Sequence, residues 1–257
     1  MIKGDNLRLV SDYHTHTIYS SGGFYHHGKG TVLENSMRAS ERGIREIAIT
    51  DHGPAHKFYG IKIPDIPRCR DDIYEAKERI KDVKIYMSVE ANIIDTISGI
   101  DIEEDQKGLF DFIIAGYHYG CDKSSTVSNI ISYSRCMPIG SYERLRTNNT
   151  EKAIRAITRN DIKVLTHPCD KAPFDKKEVF KACEARGTLV EINNRHDNLS
   201  VHDIYEIAKF DIKFIVSSDA HKPSEVGRCG KAIEKVLKSG LDVFRVVNLK
   251  KGEPNWK

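Results

Sequence analysis

Histidines and carboxylates in this chain recur where short apolar runs end. His14 and His16 alternate in "DYHTHT", and four of the eleven histidines fall within His14–His27. Asp51 and His52 stand in "AITDHG", Glu90 in "MSVEAN", His118 in "AGYHYG", His167 in "LTHPCD", and Asp219 with His221 in "SSDAH". Imidazole and carboxylate are the ordinary ligands of zinc, iron and manganese. A His-x-His pair on an extended strand aims both rings one way, because side chains alternate with a period of two; Asp219 and His221 share that spacing. A lone histidine after a strand is ordinarily a hydrogen-bonded loop residue. Recurrence at the ends of several strands points instead to a metal site. A tetrahedral ion takes about four ligands, whereas His14, His16, His52, Glu90, His118, His167, Asp219 and His221 make eight candidates. That number suits two or three divalent ions, with Glu90 as the natural bridge.

The elements that must position these residues are legible as alternating patterns. Apolar, β-branched runs at 7–13, 45–50, 84–89, 111–116, 162–166, 188–192 and 212–217 predict seven strands. Segments with helical spacing lie between them. In "VLENSMRASERG", Val32, Leu33, Met37 and Ala39 make a candidate inner face, with Gly43 as a helix stop. Strands alternating with helices argue for parallel β/α units. If the sheet closes into a barrel, every strand C-terminus opens on one face, where catalytic groups gather. The least regular stretch, Tyr119–Gly140, reads as a long loop with a short helix that could cover the site. No linker tract interrupts the pattern, so the expectation is one domain over 1–257.

Composition sets broader bounds. The chain is 39% hydrophobic and 30% charged, with a net charge of +3, which is ordinary for a folded soluble protein. That charge is too small to imply a nucleic-acid or membrane partner, and no run of eighteen apolar residues offers a membrane span. The six cysteines are widely spaced and form no CxxC pair, so reduced thiols in a cytoplasmic protein are expected. The opening residues lack a signal peptide's apolar core, and "KKGEPNWK" reads as a solvated tail.

Together, "DYHTHT", "ITDHG", "VEANI", "GYHYG", "LTHP" and "SSDAH" resemble the PHP family (polymerase and histidinol phosphatase) from about Asp12 to His221. The ordered set is specific where "HTH" alone would not be. The resemblance implies an α/β fold, a distorted seven-stranded (βα)7 TIM-like barrel. It also implies a trinuclear site of zinc, manganese or iron used for phosphoester hydrolysis. Carried over by position, one ion would take His14, His16, Glu90 and Asp219. A second would take His52, His221 and a further histidine from the loop after the first strand, and a third Glu90, His118 and His167. Many members place that further histidine six residues after the pair, where this chain has Gly22. His26 and His27 follow a few residues later; His27 is favoured because some relatives carry a similar "HGKG", and His26 stays open.

The implied reaction is hydrolysis of a small phosphate monoester, with histidinol-phosphate, a nucleotide or a sugar phosphate as substrate. Two or three divalent ions would activate water and polarise the phosphoryl oxygens. Asp51, Glu90 and Asp219 are the carboxylates expected to serve catalysis, Asp51 as a partner behind His52. Lys29 and Arg195 are the candidate phosphate-binding cations. Glu191 reads as a structural hydrogen-bonding residue, and His56, His196 and His202 as surface or rim residues. Two rival readings stand beside this one. An amidohydrolase-type barrel also opens with His-x-His but commonly uses a lysine after strand four, and "IIAGYHYG" has none. A non-catalytic PHP-like scaffold would be expected to have lost ligands. A long nucleic-acid substrate lacks the basic stripe with interleaved aromatics that it would need.

Overall fold

The alternation of β-branched runs with amphipathic segments produces seven parallel strands wrapped into a nearly closed barrel. The computed structural model describes residues 6–21, 26–121, 123–134 and 137–256. Gly22 and Cys136 therefore lie outside the described residues. The barrel strands are β2 (Ser11–Thr15), β3 (Glu46–Ile49), β4 (Lys84–Asn92), β5 (Phe112–Gly116), β6 (Ile162–Leu165), β7 (Leu189–Asn193) and β8 (Phe214–Ser217). They pair in sequence order, all parallel. The intervening helices are α1 (Val32–Glu41), α2 (Ile66–Arg79), α3 (Lys123–Tyr133), α4 (Ile139–Arg159), α5 (Lys176–Arg186), α6 (Val201–Ile207) and α7 (Gly230–Ser239). Their buried faces join the outer sides of the strands in one apolar core. The lumen is filled by a smaller cluster of Ile114, Val164, Leu189 and Ile215, with Tyr13, Phe112 and Val247 packed against it.

Closure is made by side chains where the sheet ladder stops. β2 meets the segment just after β8 through one isolated bridge, Thr15 with Ala220. Below it, Asn248 donates to the carbonyls of Ser11 (2.8 Å) and Val216 (2.7 Å), and its Oδ1 accepts from the Val216 N–H (3.1 Å). One buried amide thereby stands in for missing ladder bonds. Asp12 adds a second clasp, accepting from the N–H of Ser218 (3.2 Å), the N–H of Gly227 (2.8 Å) and the Ser218 hydroxyl.

Two expectations are corrected. The run 7–13 is two strands, because β1 (Leu7–Leu9) leaves the barrel and pairs antiparallel with β9 (Leu249–Lys251). On α1 the buried residues are Val32, Asn35, Ser36 and Ala39, whereas Met37 is 48% exposed. The helix presents its small and polar residues inward: Asn35 donates to the His16 carbonyl (3.0 Å), a contact that hydrophobic spacing could not foresee. Gly43 is the helix stop expected: it follows the C-cap Arg42 in the left-handed conformation, φ +62°.

The tail is solvated only in part: residues 250–253 are exposed, while its end docks on the barrel. Asn255 exchanges hydrogen bonds with Leu9 (2.9 and 3.0 Å) and donates to the Arg42 carbonyl. Trp256 packs on the core and donates to the Leu7 carbonyl (2.8 Å). Lys257 lies outside the described residues. The described cysteines, Cys69, Cys121, Cys169, Cys183 and Cys229, are free thiols. No described helix is long and apolar enough to cross a membrane.

Candidate functional site

Every strand of the barrel ends at a residue that points toward one patch. Glu90 pairs with Ile114 across β4 and β5, and Glu191 with Ile215 across β7 and β8. Paired residues share a sheet face, so both carboxylates stand in the lumen, one layer above the apolar plug. A register irregularity between Asp12 and Thr15 breaks the alternation of β2. Tyr13 and His14, though adjacent, can then both serve the lumen: Tyr13 packs on the plug and His14 reaches Glu191. At the end of β5, a Cβ on Gly116 would lie 2.2 Å from Thr166 Oγ1 and 2.9 Å from His167 Cε1. Glycine there makes room for the β6 histidine. Two of the residues at strand ends, His167 (φ +24°) and Asp219 (φ +54°), adopt backbone conformations that L-residues rarely take.

Glu90 is the hub. Its Oε2 lies 3.2 Å from His14 Nε2, 3.6 Å from His16 Nε2 and 3.0 Å from His52 Nδ1. Its Oε1 lies 2.8 Å from His167 Nε2 and 3.3 Å from His118 Nε2, and accepts from the Thr166 hydroxyl (2.7 Å). Asp219 Oδ1 lies 3.4 Å from both His16 Nε2 and His221 Nδ1, and 3.7 Å from His14 Nε2. His27 closes the group, its Nε2 2.6 Å from that of His221. Nine sequence-singled residues are thereby brought together around one center. His26 is exposed and pairs with Ser21 instead, Nδ1 to Oγ 3.1 Å.

The charge balance suits cations. Burial opposes charge on Glu90, but His14, His118 and His167 outweigh it and hold the carboxyl well below its usual range. Asp219 is held low in the same way, against burial, by His14, His16 and His196. Burial, reinforced by the neighboring rings, pushes His16 and His52 well below the usual imidazole range; burial also lowers His118 and takes His27 to about 3. These are neutral imidazoles, the form that binds metal. His14 is the exception: Glu90, Glu191 and Asp219 overcome its burial and raise it well above normal.

The donors also fit a metal by their unmet bonding. Both ring nitrogens of His52 and of His118, Nδ1 of His167 and Oε2 of Glu90 are buried and have no partner in hydrogen-bonding geometry. Leaving such atoms unsatisfied costs about 1–3 kcal/mol each, a penalty that divalent cations among them would remove. Among the described residues, four sets of three donors could each hold an ion: His14 with His16 and Asp219, His14 with Glu90 and His167, His52 with Glu90 and His118, and His16 with His52 and His221.

Behind the donors, Glu191 accepts from His14 Nδ1 (2.7 Å), the His167 N–H (2.6 Å) and Asn193 Nδ2 (2.9 Å). This leaves His14 Nε2 turned toward the center. Asp51 does not line the cavity. It accepts from the N–H and hydroxyl of Thr17 (2.7 and 2.6 Å) and from Ser20 Oγ (2.6 Å), which shapes the chain just after His16.

The cavity over the site has a volume of about 120 Å³. Arg195 lines it, while Lys29 is exposed and not part of its wall; the Lys29 N–H instead donates to the His221 carbonyl (2.8 Å). Of the histidines expected at the surface or rim, His196 lines the cavity and His56 is buried behind its wall. His56 is 3% exposed and stacks on Tyr59 with ring centers 3.5 Å apart. His196 lies 3.2 Å from Asp219 Oδ2 and 3.0 Å from Asp170 Oδ2. Tyr59, Lys171 and Asp170 were not singled out by the sequence. Tyr59 stacks on His27 (4.0 Å between centers), and Lys171 lines the cavity, paired with Asp170. Tyr59 has no periodic or motif context to mark it, whereas Asp170 ends the "LTHPCD" stretch and Lys171 follows it, so proximity to His167 was the available signal.

Comparison with known proteins agrees with this geometry. The family model described as "PHP domain" matches residues 12–194, and one described as "PHP-associated" matches 204–252. A protein of Thermoanaerobacter sp. named "Probable phosphatase" is 31% identical over 261 aligned positions, covering 96% of this chain and 93% of its own. Another so named, from Caldanaerobacter subterraneus, is 32% identical over 241 positions, covering 88% and 82%. Among solved structures, histidinol phosphate phosphatase from Lactococcus lactis, complexed with zinc, L-histidinol and phosphate, shares the fold. Its TM-score is 0.58 at 14% identity, covering 89% of this chain and 91% of that one. The seven-stranded barrel, the ordered histidine and carboxylate motifs and the matched family model make this chain a member of the PHP family.

Proposed function

We propose that the chain is a metal-dependent phosphoesterase that hydrolyses a small phosphate monoester at a trinuclear site. The observation that carries this reading is the convergence of five imidazoles on the two oxygens of Glu90, with Asp219 beside them. Relatives named as phosphatases, aligned over nearly the whole chain, support it. His14, His16, Glu90 and Asp219 would hold one ion, His27, His52 and His221 a second, and Glu90, His118 and His167 a third. When bound, such ions supply water activated near neutral pH and polarise the phosphoryl oxygens.

The chain's own residues do the positioning. Glu191 holds His14 by Nδ1, and Thr166 steadies Glu90. Arg195 and Lys171, in the cavity wall with the histidines, offer positive charge to a bound phosphate. Arg195 is anchored loosely, 3.5 Å from Glu225, which leaves it able to reorient toward an anion. His196, held between Asp170 and Asp219, is the proposed handler of the leaving alcohol's proton. The small cavity favors compact substrates, with histidinol-phosphate, nucleotides and sugar phosphates as the classes to test.

The test is a panel of phosphorylated metabolites scored by released phosphate with Mn²⁺ or Zn²⁺ added, beside an aryl phosphate monoester. Hydrolysis that disappears in an Asp219→Ala, His221→Ala double variant supports the assignment. Full activity in that variant overturns it, and comparable rates on a phosphodiester would move the reading toward a nuclease or cyclic-phosphate enzyme.

A further inference from the structure

The barrel has a second mouth, at the N-terminal ends of its strands, and it encloses a larger cavity of about 540 Å³. Its floor is the apolar plug: Leu189 and Val247 line it, and Tyr13 presents an aromatic ring that packs with Tyr86 and Phe112. Its rim is cationic. Arg45 stands just before β3, Lys163 near the start of β6, Lys213 just before β8, and Lys250 in β9. All four are exposed. None of their side chains makes an ion pair or hydrogen bond with a described residue.

Several exposed cations elsewhere on this surface are matched: Arg38 with Glu41, Lys81 with Glu78, Lys181 with Glu178, and Lys238 with Glu234. The carboxylate among the lining residues, Glu46, is engaged by the Tyr13 hydroxyl. Like charges around a concave surface with a low-dielectric floor reinforce one another and concentrate positive potential inside it. The N-terminal face of a β/α barrel ordinarily serves stability and not catalysis. Stability alone gives no reason to gather unmatched cations there.

We propose that this basal mouth is a binding site for a small aromatic polyanion, a flat ring carrying several clustered anionic groups. The ring of Tyr13 and the side chains of Leu189 and Val247 would receive the apolar face. Arg45, Lys163, Lys213 and Lys250 would receive the charges. This site is distinct from the histidine cluster at the other end of the barrel and does not depend on the reading given to that cluster.

The test uses the metal-loaded protein and pyrenetetrasulfonate, a fluorescent polyanion that is not a phosphoester. Its anisotropy should rise and saturate on titration, with affinity that falls as salt is added. A Lys163→Gln, Lys213→Gln, Lys250→Gln variant should bind about 30-fold more weakly, the product of three roughly threefold losses typical of exposed ion pairs. Its phosphate release should match that of the unmodified protein. A Lys171→Gln, Arg195→Gln variant should bind the dye normally. Failure to saturate, equal affinity in the basal variant, or binding lost in the Lys171, Arg195 variant instead would each overturn the proposal.

Discussion

Replacing Glu191 by glutamine changes one atom of a carboxylate that orients two candidate metal ligands. Glu191 is fully buried and takes three hydrogen bonds, from His14 Nδ1, the His167 N–H and Asn193 Nδ2. Glutamine keeps the volume but has one acceptor oxygen. Whichever way its amide is turned, an NH₂ group meets one of these donors. If it faces His14, the ring must present a lone pair at Nδ1 and carry its proton on Nε2, the nitrogen that points at Glu90. That tautomer cannot bind a cation through Nε2. If it faces His167, the backbone N–H is left unsatisfied at a residue already held at φ +24°. Losing such an orienting partner costs about 10–100-fold in metal affinity or activity, or about 1.4–2.7 kcal/mol. The assay is competition for Mn²⁺ or Zn²⁺ against a chromophoric chelator, run beside phosphate release. Weakening in that range with the barrel still folded supports the account. Unchanged metal affinity together with unchanged turnover would refute the role given to Glu191 and, with it, the orientation assigned to His14.

Further outcomes follow from other contacts. Gly116→Ala places a methyl against Thr166 and His167; overpacking of this kind costs about 1–3 kcal/mol, and displacement of His167 should lower metal binding further, measured by thermal melting and metal competition. Removing residues 255–257 deletes the Asn255 and Trp256 clasp on β1 and should destabilise the chain by about 3 kcal/mol in urea unfolding, with little change in metal affinity. Burial raises Asp101 to about 6, against hydrogen bonds from Asn92 and Ala55. An acid whose folded value lies above its unfolded one favors the folded state at low pH, and that contribution is lost as pH rises through about 6. The stability of the native chain relative to an Asp101→Asn variant should therefore grow between about pH 7 and pH 5. A pH-independent difference would contradict the shift.

The parts of this molecule legible in the sequence are those with a local period or a motif. Seven apolar runs located the barrel strands, and His14, His16, His52, Glu90, His118, His167, Asp219 and His221 were found because each stands at the end of one. His27 could be separated from His26 only by the fold, since adjacent residues in a glycine-rich loop carry no periodic signal. Contacts between distant segments were invisible for a different reason. Asn248 closes the barrel by reaching residues 237 positions away, and Trp256 docks on Leu7 across 249; nothing in "KKGEPNWK" distinguishes such a clasp from a solvated tail. His56 and His196 read as surface residues because a single histidine in a loop acquires its burial from neighbors such as Tyr59 and Asp170. Asp51, expected as a partner behind His52, accepts from Thr17 and Ser20, and Ser20 Oγ in turn accepts from the His52 N–H.

The central claim is that the histidines gathered on Glu90 hold divalent metal ions. Elemental analysis of protein purified with Mn²⁺ or Zn²⁺ present, compared with a Glu90→Ala variant, tests it most directly. The account requires two to three ions per native chain and a loss of at least one in the variant, because Glu90 Oε2 lies within reach of His14 and His52 and its Oε1 within reach of His118 and His167. A native chain that retains no metal, or a variant with an undiminished count, would contradict it.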